Sequence, residues 1–262
     1  MHPILFHLNG ITIYTYGTAM VLIFILTLIL LTCNFPHHLF SLVDLYNFCL
    51  IILVVILFKH HLLSYIFYDI LKIQHGTRPH IDALIGGHSS HIVLIATVIM
   101  FYIYCKLRKI SLLPTLDFLL PYAILALALQ RIFGCFMAGC CYGKPTTLFC
   151  GVTFPANSNA GTSFPHIRIH PTQLYYGVSA LAIWYFLYWY RKRNNDTGKI
   201  TALGIGLFAI SYFCITFLRG DTMTSNMLST SQYSSLVLLI FSAILYRYSH
   251  IQMRNQRTID HE

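Results

Sequence analysis

Charged side chains are scarce in this chain. Only 10% of its 262 residues are Asp, Glu, Lys or Arg, whereas about 25% are charged in an ordinary soluble domain. Hydrophobic residues make up 56%, and the mean hydropathy is +0.66. This balance excludes a typical soluble domain. Long apolar runs along the whole length instead predict an all-α polytopic membrane protein.

Glutamate is almost absent as well. Glu262 is the only one, so a carboxylate at any site must come from an aspartate, with Asp82, Asp117 and Asp221 as candidates. This argues against a metalloprotease with a glutamate base and against a paired-carboxylate hydrolase. The chain also lacks Gly-x-Ser-x-Gly, Gly-x-Gly-x-x-Gly and Walker motifs, so no hydrolase elbow or nucleotide loop is predicted.

Basic residues outnumber acidic ones, and the formal net charge is +9. They stand in short clusters beside the apolar runs, where anionic headgroups and topology explain them, so no nucleic-acid partner is predicted. The eight cysteines follow neither a disulfide framework nor a zinc-ribbon spacing. No metal site is predicted from their spacing.

Seven apolar runs are long enough to predict transmembrane helices. They cover residues 11–31, 39–58, 84–105, 112–138, 172–190, 200–218 and 233–248. The chain, 1–262, is predicted to form one integral membrane domain with a core at about 10–250. Segments 59–82 and 139–171 are too broken or too polar to span, and we expect them to cover one end of the helices.

The positive-inside rule orients these helices. With the N-terminus outside, 10 Lys and Arg residues fall on the inner side and 6 on the outer side, leaving out Arg131. The sequence therefore predicts an outer N-terminus and a cytoplasmic C-terminus. Segments 59–82 and 139–171 then lie on the outer side.

The stretch 130–144 closes the fourth predicted helix and holds Arg131, the only basic residue well inside an apolar run. A charge at membrane depth costs about 2.5–3.5 kcal/mol on insertion scales, so it usually faces a partner or a wet cavity. Small residues and thiols surround it: Gly134, Ala138, Gly139, Gly143, Cys135, Cys140 and Cys141. The alternative is a tightly packed helix end whose arginine reaches the interface.

Polar side chains from four places fall on the same predicted side of the membrane. His88 and His91 share a helix face, and Arg131 ends the next helix. The others are His170, Thr172, Gln173 and Tyr175 in one run, and Arg219 with Asp221. We expect one cavity, in which an arginine fork suits a lipid phosphate and a neutral histidine suits proton abstraction. Ordinary interfacial histidines are the alternative for the histidine pair.

Three of these stretches resemble the bacterial prolipoprotein diacylglyceryl transferase family. Residues 86–91, Gly-Gly-His-Ser-Ser-His, are similar to Gly-Gly-x-Ser-Phe-His, with His91 at the functional histidine. Arg131 and the small residues after it resemble Gly-Arg-x-Gly-Asn-Phe-x-Asn-Gly-Glu. Residues 170–175, His-Pro-Thr-Gln-Leu-Tyr, resemble His-Pro-[Ser/Thr]-Gln-Leu-Tyr-Glu, the most specific of the three motifs.

The chain departs from the family pattern at several positions. Phe133 is inserted between Arg131 and Gly134. Cys135 and Cys140 stand at the family's signature Asn and Glu, and Tyr176 stands at its later Glu. Ile92 and Val93 stand at its paired glycines, and Tyr212 and Thr216 stand at its late Arg and Glu. These differences leave open a divergent paralogue with another lipid or acceptor substrate.

The resemblance implies a transferase that moves a diacylglyceryl group from phosphatidylglycerol to the lipobox cysteine of prolipoproteins, in the bacterial cytoplasmic (inner) membrane. Its partners would be phosphatidylglycerol, the prolipoprotein signal peptide and membrane lipid, with no metal and no cofactor. It implies catalytic roles for Arg131, at the phosphate, and for His91, as the base. Substrate-binding residues would be His88, Gly134, Cys135, Gly139, Cys140, Tyr142, Gly143, His170, Gln173, Tyr175 and Arg219. The oligomeric state stays open.

Two other functions stay open. A membrane thiol oxidoreductase or metal-binding protein would use Cys140, Cys141 and Cys150, although adjacent cysteines form a poor reversible disulfide. A transporter or an inactive paralogue is the other. Asp44 and Asp117 alone are few intramembrane carboxylates for proton coupling.

Overall fold

The computed structural model describes residues 2, 4–8, 11–64, 90–194, 196–221 and 228–259, and these are mostly helical. They group into two compact units, Met1–Asn34 with Leu116–Glu262 and Phe35–Thr115. The single membrane domain over 1–262 stays a prediction.

The helices follow the predicted apolar runs. In chain order they are α1 (Thr15–Cys33), α2 (Leu42–Ser64), α3 (Ser90–Arg108), α4 (Leu112–Leu129), α5 (Phe136–Ala138), α6 (Asn159–Ser163), α7 (Thr172–Arg191), α8 (Lys199–Thr216) and α9 (Thr230–Ile259). A π-helical turn, Gln130–Cys135, joins α4 to α5. Each of the seven predicted spans therefore contains a long helix.

Four stretches are long and apolar enough to cross a membrane, counted over the described residues. They are Thr15–Cys33, Leu112–Ala138, Lys199–Thr216 and Thr230–Gln252. Each is at least 18 residues long and contains an apolar stretch of 18 residues, close to the length that a hydrocarbon core about 30 Å thick requires. The prediction of a helical membrane protein is confirmed, whereas the count of seven spans and the orientation of the termini stay predictions.

The all-α prediction misses a small antiparallel sheet near the N-terminus. Strand β1 (Ile4–Leu8) pairs with β2 (Ile11–Tyr14), with Leu8 opposite Ile11. The predicted first span begins at residue 11, but α1 begins only at Thr15. The reason is that Ile, Thr and Tyr are as apolar as helix residues on average but favour strands, and hydropathy alone does not separate the two.

Helix α9 is longer than the apolar run that predicts it. The run ends near residue 248, whereas the helix continues to Ile259. Residues 249–259 include Gln, Met and Arg, which are good helix formers although they are polar or flexible. Apolarity marks where a helix crosses the bilayer and not where it ends.

In the unit Phe35–Thr115, a buried carboxylate joins α2 to α3. Asp44 accepts hydrogen bonds from the Tyr104 hydroxyl at 2.7 Å and from Arg108 Nε at 3.0 Å. Its other oxygen accepts from the Ser41 hydroxyl and backbone N–H at 2.6 and 3.1 Å. Asp44 is thus fully paired, which is typical of a structural carboxylate and gives no support to proton coupling.

We expect Asp44→Ala to lower the free energy of unfolding by about 1–3 kcal/mol, because it leaves the Tyr104 hydroxyl and the Arg108 guanidinium without their acceptor. Asp44→Asn keeps one carbonyl oxygen for them and should lose less. Thermal unfolding in detergent, followed by circular dichroism, measures both. An alanine variant as stable as the parent would show that the network contributes nothing.

In the other unit, α4, α7 and α8 share an apolar core that holds the candidate site at one end. Its buried residues are Ile124, Ala128, Ala180, Ile183, Leu187 and Ile200. At the start of α8, the Asp117 carboxylate of α4 accepts hydrogen bonds from the Gly198 N–H and from the Thr201 N–H and hydroxyl. A carboxylate suits a helix N-terminus, where free N–H groups and the dipole favour negative charge.

Candidate active site

Arg131 lies in the π-helical turn at the end of α4. In this turn the Phe136 N–H donates to the Arg131 carbonyl, five residues back instead of four. A π-turn accommodates one extra residue in a helix and is frequent at functional sites. The outward position of Phe133, which is 54% exposed, fits an inserted residue that the wider turn absorbs.

The chain reverses sharply after α5. Gly139 adopts a left-handed conformation with φ 72°, and its N–H and that of Cys140 both donate to the Cys135 carbonyl, at 2.9 and 3.2 Å. A Cβ atom at Gly139 would lie 2.6 Å from Ser158 Cβ, so only glycine fits this turn. The reversal returns the following two cysteines to Cys135.

Cys141 also has a left-handed backbone, with φ 55°, a conformation that costs a non-glycine residue about 1–2 kcal/mol. Two side chains at the start of α7 hold this segment in place. The Thr172 hydroxyl donates to the Cys141 carbonyl and Gln173 Nε2 donates to the Cys140 carbonyl, each at 2.7 Å. The buried Gln173 thus has a backbone-anchoring contact, while its predicted headgroup role stays a prediction.

The thiols of Cys135, Cys140 and Cys141 form one cluster, with their Sγ atoms within 4.8 Å of one another. Arg131 Nη1 lies 3.9 Å from Cys135 Sγ. Hydrogen bonds from the two neighbouring thiols, and then attraction to Arg131 and Arg219, hold the pKa of the Cys141 thiol below its usual range. Hydrogen bonds with Cys135 and Cys141 raise the pKa of the Cys140 thiol.

The loop after the cysteines is paired to both neighbouring chain segments. The Gly143 N–H donates to the His170 carbonyl at 3.1 Å, and the Lys144 N–H donates to the Leu218 carbonyl at 2.8 Å. The Gly220 N–H in turn donates to the Tyr142 carbonyl at 3.0 Å. These bonds hold the start of α7 and the end of α8 against the cysteine turn, and they place Arg219 beside it.

Arg219 is neutralised within the site. It makes a two-pronged ion pair with Asp221, Nε to Oδ1 at 2.8 Å and Nη2 to Oδ2 at 2.7 Å. Burial alone would lower the pKa of the Arg219 guanidinium, but this ion pair raises it above the ordinary value. Its Nη1 also donates to the Tyr212 hydroxyl at 3.3 Å.

Two tyrosines whose rings pack at a tilt of 32° lie between the arginines. The Tyr176 and Tyr212 rings lie 4.8 Å apart, and the Arg131 guanidinium lies over the Tyr176 ring, 5.1 Å from its centroid. Among the described residues, Arg131 has no carboxylate within ion-pair distance. Because Arg219 is already paired, Arg131 is the guanidinium that remains available to an anion.

The structure brings together most of the residues predicted for the site. Those in or beside the arginine and thiol cluster are Arg131, Gly134, Cys135, Gly139, Cys140, Gly143, Gln173 and Arg219. His170 and Tyr175 contact each other, Nδ1 to hydroxyl at 3.2 Å, and the Tyr142 hydroxyl meets Ser163 at 2.7 Å. His88 lies outside the described residues, and of His91 only the helical backbone in α3 is described.

Asp117 lies far from this cluster. It stands fourteen residues before Arg131 along the same helical rod, a rise of about 21 Å, and it holds the start of α8 instead. Asp221, bound to Arg219, reaches the site. Asp82 lies outside the described residues.

Comparison with known proteins identifies the family. Residues 3–248 match the family model described as prolipoprotein diacylglyceryl transferase. The chain belongs to this family. The resemblance predicted from the three motifs is therefore confirmed.

Three clostridial relatives illustrate the match. The phosphatidylglycerol–prolipoprotein diacylglyceryl transferase of Clostridium tetani is 34% identical over 248 residues, which cover 94% of this chain and 97% of the relative. Transferase 2 of Clostridium perfringens is 36% identical over 154 residues, 58% of this chain and 59% of that protein. The same-named protein of Clostridium botulinum strain 657 is 27% identical over 252 residues, covering 96% and 100%.

Several residues that depart from the prolipoprotein diacylglyceryl transferase pattern lie close together in the structure. Those that the structure places at the site are Cys135, Cys140, Tyr176, Tyr212 and Thr216. The Tyr176 hydroxyl shares a hydrogen bond of 2.9 Å with Thr216, so these side chains touch one another or the two arginines. Sequence reasoning placed neither tyrosine in the site. Only the spacing of Tyr212 and Arg219, seven residues or two helical turns, indicates that they share a face.

Proposed function

We propose that this chain transfers a diacylglyceryl group from phosphatidylglycerol to the cysteine thiol of a prolipoprotein, at the outer face of the bacterial cytoplasmic membrane. The observation that carries this proposal is Arg131, a guanidinium without a carboxylate partner among the described residues, at the helix end where three segments meet. Membership of the family supports the reaction class, and the names of the relatives support the two substrates.

The chemistry requires a stabilised leaving group. The acceptor sulfur forms a bond to the glyceryl carbon, the bond from that carbon to the phosphate oxygen breaks, and glycerol phosphate leaves with one more negative charge. A planar guanidinium can bind two phosphate oxygens at once. Arg131 is partly buried and already fixed by Tyr176 and Cys135, so it needs little reorganisation as the charge develops.

The acceptor thiol must also lose its proton. His91 is the proposed base, on the sequence motif alone, because a neutral imidazole accepts a proton near pH 7. The paired Arg219 and Asp221 contribute polarity beside the headgroup. The proposed topology, seven spans with the N-terminus outside, puts this end of α4 on the outer side, where prolipoproteins present their cysteine.

A direct assay tests the proposal. Purified protein in liposomes with labelled phosphatidylglycerol should transfer label to a lipobox peptide, with the mass gain of one diacylglyceryl group on its cysteine. A peptide with serine in place of that cysteine is the control and should stay unmodified. Transfer from phosphatidylethanolamine but not from phosphatidylglycerol would identify another donor, and no transfer from either lipid would contradict the reaction.

A further inference from the structure

Tyr176 lies against Arg131 with the face of its ring. The tyrosine is 4% exposed, and the Arg131 guanidinium lies over the ring, 5.1 Å from its centroid. Thr216 donates its single hydroxyl proton to the Tyr212 carbonyl at 2.6 Å, so Tyr176 is the donor in the 2.9 Å contact between its hydroxyl and that of Thr216. The hydroxyl therefore anchors the ring to α8, and the ring face is the part of Tyr176 that meets the arginine.

Two further contacts fix where this ring lies. A Cβ atom at Gly177 would come 2.5 Å from Ile132 Cγ1, so the absence of a side chain lets the start of α7 pack directly on the π-helical turn that carries Arg131. The Tyr212 ring packs against the Tyr176 ring at 4.8 Å. The ring is thus held from α4, from α7 and from α8, and it offers Arg131 a fixed surface.

A ring face orients a guanidinium in a different way from a carboxylate. A carboxylate pairs with the N–H edge and cancels the charge, as Asp221 does for Arg219. An aromatic face attracts the cation through its quadrupole and carries no net charge. Among the described residues, the one hydrogen bond of the Arg131 guanidinium goes to Cys135 Sγ at 3.9 Å. Most of its five N–H donors are therefore unused within the described chain.

We propose that Tyr176 is the positioning residue of Arg131: its ring face sets the orientation of the guanidinium and leaves the positive charge and the N–H edge to the phosphate of the lipid. The inference rests on the proposed function, in which Arg131 binds that phosphate. In this role Tyr176 acts through Arg131 and needs no contact with the lipid. The family pattern has a glutamate at this position, and the ring gives this chain a fixed arginine without that carboxylate.

Fluorination of the ring tests the electrostatic part of the contact at nearly constant size. Tyr176→Phe and its mono-, di- and trifluorinated analogues, introduced by nonsense suppression, carry progressively less electron density on the ring face, which weakens a cation–π contact step by step. We expect kcat for diacylglyceryl transfer to fall in the same order, by about 5–30-fold over the series, the range of a buried cation–π contact. The KM for phosphatidylglycerol should change little, because the leaving phosphate gains its extra charge only as the bond breaks.

Tyr188 is the matched control for this series. Lys192 Nζ lies over its ring, 4.6 Å from the centroid, in the last turn of α7 and about 18 Å along the helix from Tyr176. The same analogues at Tyr188 should transfer at the wild-type rate. Equal rates along the Tyr176 series would overturn the inference, because the ring would then only fill space. If Tyr176→Phe is as slow as Tyr176→Leu, the hydroxyl and not the ring face positions the arginine, and the inference is wrong.

Binding of glycerol phosphate, the leaving group, tests the contact without turnover. Equilibrium dialysis of labelled glycerol phosphate against the protein in detergent should give affinities that fall in the same order along the Tyr176 series, and Arg131→Ala should lose binding. If the wild-type protein transfers nothing from either lipid and yet binds glycerol phosphate in this order, the proposed reaction fails and the positioning role stands. If transfer depends on Arg131 while rates and affinities stay equal along the series, the reaction stands and the positioning role fails.

Discussion

Arg131→Ala should lower the rate of diacylglyceryl transfer by about 10²–10³-fold, the loss typical of removing one preorganised donor from a developing negative charge. Among the described residues, Arg131 is the site guanidinium that no carboxylate neutralises, since Arg219 is bound by both Asp221 oxygens. The leaving phosphate gains its charge in the transition state. We therefore expect kcat and kcat/KM to fall together in the liposome assay.

Arg131→Lys tests whether the reaction needs the planar, two-pronged guanidinium or only a positive charge. Lysine keeps the positive charge but presents a compact ammonium on a flexible stem, so it should recover little of the lost rate. Full recovery by lysine would show that charge alone suffices.

Arg193→Ala is a matched control for the packing that Arg131→Ala removes. Arg193 also lies over an aromatic ring, 4.1 Å from the Trp189 centroid, but just after the opposite end of α7. It should therefore transfer at the wild-type rate. If Arg131→Ala retains the same activity as this control, the assignment of Arg131 to the phosphate is wrong.

His91→Gln should lower turnover by about 10²–10⁴-fold, as expected for the loss of a general base, and should leave lipid binding intact. The reaction needs the neutral imidazole. Wild-type activity should therefore rise with pH through the histidine range, around an unperturbed pKa of about 6.5, because the protonated form present below that pH accepts no proton. In His91→Gln this rise should disappear, along with most of the rate.

Rates of His91→Gln and His91→Asn between about pH 5.5 and 8.5, a range that spans the ordinary histidine pKa, decide between a base and a hydrogen-bond donor. His250→Gln, at an exposed position of α9, is the control and should behave as the wild type. Near-wild-type turnover with the same pH profile in both His91 variants would rule out the base role. His170, bound to the Tyr175 hydroxyl, would then be the candidate.

Hydropathy was enough to place the helices but not to define their ends. All seven apolar runs contain long helices, because burying backbone in lipid leaves few alternatives to a helix. The hairpin of β1 and β2 and the polar extension of α9 were missed, since both depend on strand pairing or helix propensity rather than on apolarity. The family motifs singled out Arg131 and the His-Pro-Thr-Gln-Leu-Tyr run because these motifs, like hydropathy, are local patterns of residue type.

Sequence alone thus determined the membrane class and the family, and it predicted Arg131 as a residue of the site. Only the tertiary structure decided what surrounds that arginine. The Gly139 reversal returns Cys140 and Cys141 to Cys135, and the pairing of the loop with α7 and α8 brings two tyrosines and Arg219 beside them. Residues up to about ninety positions apart meet there, and contacts over such distances depend on how helices pack, which no local spacing of residue types encodes.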